Sequence, residues 1–233
     1  MSALRVPRSE PKGQQVVFVH LPKTGGMSLQ SAITGVLAPG RTLRIGDAAE
    51  HAAFLRMPRA ALNGYAFIGG HVSLAEAAPR VRADARFVTL LRDPVERLVS
   101  AFNYMASWKE HPLHAEFRNL GFADFVETAG ARLSGEACRQ LTGATTAVAA
   151  IPILESRYAM VATTPLLPML ATGIARWLGV AAPVLQLENV TPGQGRMTLD
   201  SATCERLLEI TREDRALYTH VAAYHGGVLQ RAA

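Results

Sequence analysis

The sequence predicts an α/β fold of three layers, in which helices flank a central, mainly parallel β-sheet. Short apolar runs typical of buried strands occur at 15–20, 65–68, 86–91 and 158–162. Segments with helical periodicity lie between these runs. Strands that alternate with helices favour a parallel sheet covered on both faces.

Helical patterns account for most of the remaining chain. The segments expected to be helical are 26–37, 48–62 with an interruption at Pro58, 94–108, 122–131, a stretch from Thr163 or Thr164 to about Leu178, and 200–223 in one or two pieces. The helix at 94–108 has the clearest start, because Asp93 suits the N-cap and Pro94 the first turn. Arg41 to Ile45 is a further candidate strand. Apart from 122–131, we expect the region 109–153 to consist of loops and short helices.

The composition is typical of a globular protein. The chain has 233 residues, of which 49% are hydrophobic and 18% charged, so it can bury a core without disulfides or a structural metal. We expect residues 1–14 to form a disordered arm and residues 15–233 to form a single domain. Cys138 and Cys204 fit a reducing compartment. The N-terminus lacks the apolar core of a signal peptide, and prolines and Arg176 interrupt the most apolar region, so we expect a soluble, cytoplasmic protein without a membrane span.

The net charge of +5 and a pI near 9.6 favour acidic partners such as phosphate esters or sulfated sugars. The basic residues are scattered rather than set in a stripe with interleaved aromatic residues, so no nucleic-acid partner is expected. His111 and His114 lie close together in sequence, but no third ligand is obvious, and no metal site is expected.

The stretch VVFVHLPKTGGMSLQSAI, Val16 to Ile33, joins the first strand to the first helix through a glycine-rich turn. The first N–H groups of a helix have no internal partner and attract anions, and the pair Gly25-Gly26 lets the backbone approach a ligand. Lys23 adds a positive charge, and Thr24 and Ser28 add hydroxyl donors. The junction predicts a site for a phosphate or sulfonate. It is not a Walker A loop, because the lysine precedes the glycines. The alternative is an ordinary tight turn with a surface lysine.

A second segment, RFVTLLRDPVERLVSAFNYM, begins at Arg86. Arg92 falls at the carboxyl end of a predicted strand, where open α/β sheets present ligand-binding groups. Arg97, Ser100 and Tyr104 share a face of the following helix by their spacing. An arginine and a serine can together bind one phosphate. The alternatives are a structural ion pair for Arg92 and a small packing residue at Ser100.

A third signal is Gly70-His71-Val72-Ser73, which follows a predicted strand. His71 should therefore lie at the ligand-binding edge of the sheet. A neutral imidazole can accept a proton from an alcohol near neutral pH. The alternative is a buried or merely polar histidine.

Together these segments resemble the sulfotransferase superfamily, and in particular the branch that contains the heparan-sulfate 2-O-sulfotransferases and similar carbohydrate enzymes. The residues that carry the resemblance are His20 to Ser28 (HLPKTGGMS), Leu91 to Ser100 (LRDPVERLVS) and Gly70 to Ser73 (GHVS). The resemblance implies a P-loop-like fold, PAPS (3′-phosphoadenosine-5′-phosphosulfate) as co-substrate, PAP as product, and no metal. It implies that the 5′-phosphosulfate is bound by Lys23, Thr24, Gly25, Gly26, Met27 and Ser28, and the 3′-phosphate by Arg92 and Ser100.

The resemblance also implies the chemistry, which is in-line transfer of a sulfonate to the hydroxyl of a small-molecule or oligosaccharide acceptor. Lys23 and His71 are the catalytic residues in this interpretation: Lys23 stabilises the leaving oxygen and His71 is the base. Asn189 to Arg196 falls where the family closes a loop over the nucleotide, and a plain connector is the alternative. A polar and aromatic cluster follows the helix of the second segment and contains Trp108, Lys109, His111 and His114. We interpret it either as the lining of an acceptor cleft or as a solvated loop.

The sequence departs from the family pattern at three positions. Met27 stands where a hydroxyl residue is common, His20 where the heparan enzymes carry arginine, and Gly69 where they carry a second histidine. These departures leave the acceptor open. Two other functions also stay open: an ATP-dependent, P-loop kinase-like phosphotransferase, and a catalytically inactive protein that binds PAPS or PAP. The kinase would need a Gly-Lys-[Ser/Thr] loop and a carboxylate for Mg²⁺.

Overall fold

The computed structural model describes residues 13–186, 199–224 and 227–230 of the chain. Most of the predicted N-terminal arm and the whole of the predicted loop at 189–197 lie outside these ranges. Within them, the bounds of the elements are as follows.

One sheet of six strands forms the centre of the described structure, in the order β2-β3-β1-β4-β5-β6. The strands are β1 Val16–Val19, β2 Thr42–Ile45, β3 Phe67–Gly70, β4 Arg86–Leu91, β5 Tyr158–Thr163 and β6 Val228–Gln230. Every neighbouring pair is parallel except β5 and β6, which are antiparallel. The predicted class, an α/β fold of three layers with a mainly parallel central sheet, is confirmed.

The helices cover both faces of this sheet. They are α1 Gly26–Val36, α2 Ala48–Arg56, α3 Arg59–Leu62, α4 Leu74–Ala77, α5 Pro94–Ser107, α6 His114–Phe117, α7 Phe122–Leu133, α8 Glu136–Thr142, α9 Ala147–Arg157, α10 Leu167–Leu178, α11 Ser201–Ile210 and α12 Arg212–Ala223. A 3₁₀ turn at Thr164–Leu166 precedes α10. None of the helices in the described ranges has the length and apolar character to cross a membrane.

The interruption expected at Pro58 is confirmed, because this residue stands in extended conformation between α2 and α3. Two elements differ from the sequence-based expectations. The region 109–153 contains the beginning of α9, which continues through Pro152; burial of Ala150 and Leu154 in the core offsets the backbone hydrogen bond that the proline removes. The short edge strand β6 was not predicted, because three residues carry too little pattern.

The core lies on both faces of the sheet because its central strand is buried on both sides. Val17 and Val19 belong to the apolar cluster under α8, α9 and α12, whereas Val16 and Phe18 belong to the cluster under α1 and α10. All four side chains are fully buried. This is the pattern expected of a parallel sheet between two helical layers. It fixes the position of the carboxyl end of β1, from which the candidate site is built.

The five parallel strands all end at the same edge of the sheet. The residues that follow their ends are Gly46 after β2, His71 after β3, His20 after β1, Arg92 after β4 and Thr164 after β5. The two phosphate-binding candidates and the candidate base are therefore brought to one edge by the topology alone. The connections β1–α1 and β4–α5 begin there.

Gly26, the first residue of α1, packs against the ring of His20, and this contact predicts how substitutions there change the free energy of unfolding. A Cβ added there would lie 2.2 Å from Cδ2 of the buried His20 ring, whereas one added at Gly35 in the same helix would meet nothing within 4 Å. We expect Gly26→Ala to lower the free energy of unfolding by about 1–3 kcal/mol, and Gly35→Ala to raise it by about 0.5–1 kcal/mol. Urea denaturation of the two variants measures both. Equal stability of the two variants would contradict this packing.

Candidate active site

The loop between β1 and α1 is held in shape by its own hydrogen bonds. Lys23 has a positive φ of 68° and Gly25 one of 90°, so the chain turns sharply into α1. The Thr24 hydroxyl donates to the carbonyl oxygen of Leu21 at 2.8 Å, and the Thr164 hydroxyl donates to the carbonyl oxygen of Thr24 at 3.0 Å. Thr24 was expected to offer its hydroxyl to an anion. In this conformation that hydrogen is used inside the loop.

The first turn of α1 has the properties of an anion site. Gly25 is its N-cap and supplies no side-chain acceptor, and the first turn contains no acidic residue. The N–H groups of this turn and the helix dipole therefore present positive potential to a ligand. Ser28 is buried in the same turn, and Sδ of Met27 lies 3.4 Å from Nη2 of Arg44. Arg44, from β2, is a cation that the sequence did not point to.

Arg92 connects the end of β4 to this loop. Its Nη1 lies 3.4 Å from the carbonyl oxygen of Lys23, and its Nε lies 3.2 Å from Oε2 of Glu96. The pair with Glu96 is largely solvated on the carboxylate side and holds Arg92 only weakly. Burial, and then the charge of Arg92, lower the pKa of Lys23. The structure thus brings together the two predicted cations of the site.

The three residues predicted to share one face of α5 have different surroundings in the structure. Arg97 is buried and pairs with Glu136 at 2.6 Å and with Asp214 at 3.4 Å, so it is a structural residue held by carboxylates of α8 and α12. Ser100 is also buried, and its hydroxyl makes no hydrogen bond to any residue in the described part of the chain. Of the predicted helical face, only Tyr104 contacts Lys23.

His71 is held in one tautomer by a backbone contact. Its Nδ1 lies 3.1 Å from the carbonyl oxygen of His20, which can only accept, so Nδ1 carries the hydrogen and Nε2 keeps its lone pair. Burial lowers the pKa of His71, and the hydrogen bond to His20 opposes part of that effect. The neutral form with a basic Nε2 is therefore favoured near neutral pH.

Gln140 on α8 supports this arrangement, and no sequence pattern pointed to this residue. Its Nε2 donates to the carbonyl oxygen of His20 at 3.0 Å and to that of Val72 at 3.3 Å. The amide of Gln140 therefore contacts the residues on either side of the site, at the end of β1 and after β3. Asp214 in turn accepts hydrogen bonds from the N–H groups of Ala137 and Cys138 at the start of α8.

His20 lies beneath the anion site. It is 3% exposed and its ring stacks between Phe18, at a centroid distance of 5.2 Å, and His71, at 4.6 Å. Nε2 of Gln30 lies 3.1 Å from Nδ1 of His20. Burial, followed by the nearby His71, holds the pKa of His20 well below its ordinary value, so the ring is neutral.

An aromatic cluster, Tyr104, Trp108 and His111, borders the same site. Nζ of Lys23 lies 3.8 Å from the centroid of the Tyr104 ring, which is the distance of a cation–π contact. Trp108 stacks on Tyr104 at 5.1 Å, meets His111 edge-on at 5.8 Å, and is 42% exposed. His114, by contrast, has its Nδ1 3.2 Å from the carbonyl oxygen of Met105. Across the described ranges, no three His, Cys, Asp or Glu side chains are grouped so that they could hold a metal ion.

Comparison with known proteins supports the fold. No protein-family model and no curated protein matches this chain. Among solved structures, a sulfotransferase from Alicyclobacillus acidocaldarius aligns over 90% of this chain and 96% of its own, with a TM-score of 0.50 and 14% identity. At that identity the likeness establishes a shared three-layer fold.

A second solved structure, mouse sulfotransferase SULT7A1 complexed with PAP, aligns over 86% of this chain with a TM-score of 0.46 and 13% identity. This chain spans 64% of the length of the mouse protein.

Proposed function

We propose that this protein is a PAPS-dependent sulfotransferase, which transfers a sulfonate to the hydroxyl of an acceptor. The observation that supports this most directly is the convergence at the edge of the sheet. Two cations, Lys23 and Arg92, meet an uncapped helix N-terminus, and Nε2 of His71 keeps its lone pair beside them. An anion-binding site next to a neutral base suits transfer of an anionic group to an alcohol.

The residues present fit PAPS, which when bound supplies an activated sulfonate. Lys23 and the N–H groups from Gly25 to Ser28 would hold its 5′ end. Arg92 and the hydroxyl of Ser100, which no described residue engages, would hold its 3′-phosphate. Thr24 contributes through its backbone, because its hydroxyl is bonded to Leu21.

Lys23 and His71 have separate tasks in this proposal. The ammonium of Lys23 stabilises the negative charge that develops on the leaving oxygen. Nε2 of His71 accepts the proton of the acceptor hydroxyl, while its Nδ1–H remains bonded to the carbonyl of His20. The stack on His20 and the amide of Gln140 keep this imidazole in place.

A carbohydrate hydroxyl is the acceptor that the surroundings favour. The exposed ring of Trp108 lies beside Tyr104 and so within reach of the Lys23 region. Flat aromatic faces of this kind pack against the apolar face of a sugar ring. A small-molecule or oligosaccharide acceptor would rest on this aromatic cluster, with its hydroxyl directed to His71.

Nucleotide binding is the first test. In calorimetric titrations without magnesium, we expect PAP to bind at least tenfold more tightly than ADP, because only PAP carries a 3′-phosphate. Arg92→Gln should weaken PAP binding by about 1.5–3 kcal/mol and leave ADP binding nearly unchanged. If ADP binds as well as PAP, or only with Mg²⁺, the kinase-like alternative is favoured instead.

The role of His71 predicts a separation of turnover from binding. His71→Ala should lower kcat by about 10²–10⁴-fold and leave PAP affinity unchanged within about threefold. Because burial lowers the pKa of His71, activity should be lost as pH falls through a value below 6.5, and this acid limb of kcat/KM should be absent in the variant. His220→Ala, at a remote ion pair with Glu155, serves as the control.

Two outcomes would contradict this role. Equal losses of turnover and PAP affinity would refute the assignment of His71 as the base. Wild-type protein that binds PAP without turnover would support the alternative of an inactive binding protein.

The aromatic cluster predicts an effect confined to the acceptor. With a panel of unsulfated oligosaccharides and radiolabelled PAPS, Trp108→Ala should raise the acceptor KM by the equivalent of about 0.5–1.5 kcal/mol with little change in kcat. Trp108→Phe keeps a ring and should retain most of the affinity. Labelling of simple alcohols but of no oligosaccharide would exclude the carbohydrate acceptor.

A further inference from the structure

His20 has a ring nitrogen that the mechanism above does not use. Nδ1 of His20 faces the side-chain amide nitrogen of Gln30 at 3.1 Å. With the Gln30 amide in this orientation, its NH₂ group donates to Nδ1 and the hydrogen of the neutral ring is on Nε2, while Oε1 of Gln30 is buried without a partner among the described residues. That N–H has no hydrogen-bond partner among the described residues, although His20 is only 3% exposed. Nε2 is not one of the fully buried side-chain atoms that lack a partner, so it keeps some accessible surface through which a ligand can reach it.

The position of this nitrogen is fixed by the close approach of α1. A Cβ built on Gly26 would lie 2.3 Å from Nε2 of His20, so Nε2 lies directly against the first residue of the helix. This is the turn whose backbone N–H groups have no side-chain cap. Two independent sets of donors, one from the helix and one from the buried ring, are therefore close to the same place.

We propose that the Nε2–H of His20 donates a hydrogen bond to the sulfonate of bound PAPS. The proposal rests on the proposed function. The neutral ring carries only one N–H group. Because Gln30 donates to Nδ1, that group is Nε2–H, which faces the first turn of α1. His20 and His71 then act as a stacked pair with opposite roles, one donating to the group that is transferred and the other accepting the proton of the acceptor.

A matched pair of variants tests this role. The side-chain amide nitrogen of glutamine can occupy the place of Nε2, whereas that of asparagine reaches only the place of Nδ1. We expect His20→Asn to bind PAPS about 10- to 100-fold more weakly than the wild type, with PAP affinity changed by less than about threefold. His20→Gln should stay within about threefold of the wild type for both nucleotides. Thermal denaturation of both variants checks that they are folded.

A spectroscopic measurement on the unaltered protein provides a second test. In a ¹H–¹⁵N spectrum of the imidazole groups, His20 should show a hydrogen on Nε2 and none on Nδ1, and addition of PAPS should shift the Nε2–H signal more than addition of PAP. A hydrogen found on Nδ1 would overturn the proposal even if neither variant folds.

The outcomes separate this inference from the proposed function. Wild-type protein that binds PAP and PAPS, with Asn and Gln variants of equal PAPS affinity, would overturn the role of His20 and leave the sulfotransferase proposal standing. Equal loss of PAP and PAPS affinity in His20→Asn would overturn the sulfonate contact. Wild-type protein that binds neither nucleotide would overturn both.

Discussion

The backbone of His20 is the point on which the candidate site depends. Its N–H donates to the carbonyl of Gly70 at 2.9 Å, which joins the end of β1 to the end of β3. Its carbonyl accepts from Nδ1 of His71 and from the amide of Gln140, which brings in the loop after β3 and helix α8. The backbone of one residue thus orients the candidate base and fixes the start of the candidate anion-binding loop. Because β1 is buried on both faces, the backbone at His20 has little freedom to move.

Helix α8 depends in turn on a buried pair of charges. Asp214 is buried, accepts two N–H groups at the start of α8, and pairs with Arg97 of α5. Buried charges of this kind add little net stability when paired but cost several kcal/mol when one partner is lost. Burial and the adjacent Asp214 raise the pKa of Cys138 to about 12, so this thiol is not a nucleophile. The network orders α5, α8 and α12 relative to one another and so places Gln140 beside the site.

Sequence patterns predicted the fold and pointed to the two candidate anion-binding segments because both signals are local. A glycine pair after a buried strand and an Asp-Pro helix start are each contained in fewer than ten residues. The sequence could not indicate Gln140 or Arg44, because their contacts with the site join positions far apart in the chain. Helical spacing alone placed Arg97 and Ser100 on one face of α5. The structure separates them, because the carboxylates of α8 and α12 bind Arg97. The use of the Thr24 hydroxyl inside its own loop depends on a backbone geometry that no pattern of residue types encodes.

The contact between Lys23 and Tyr104 has a kinetic consequence. While the ammonium rests on the ring at 3.8 Å, that face of Tyr104 is occupied and the charge of Lys23 is partly satisfied. An anion that draws Lys23 toward α1 must replace this contact, and in doing so it uncovers an aromatic surface beside Trp108. The two ligand sites therefore share one side chain as a common boundary. Under the proposed function, binding of the anionic donor would therefore enlarge the aromatic surface that is open to the acceptor.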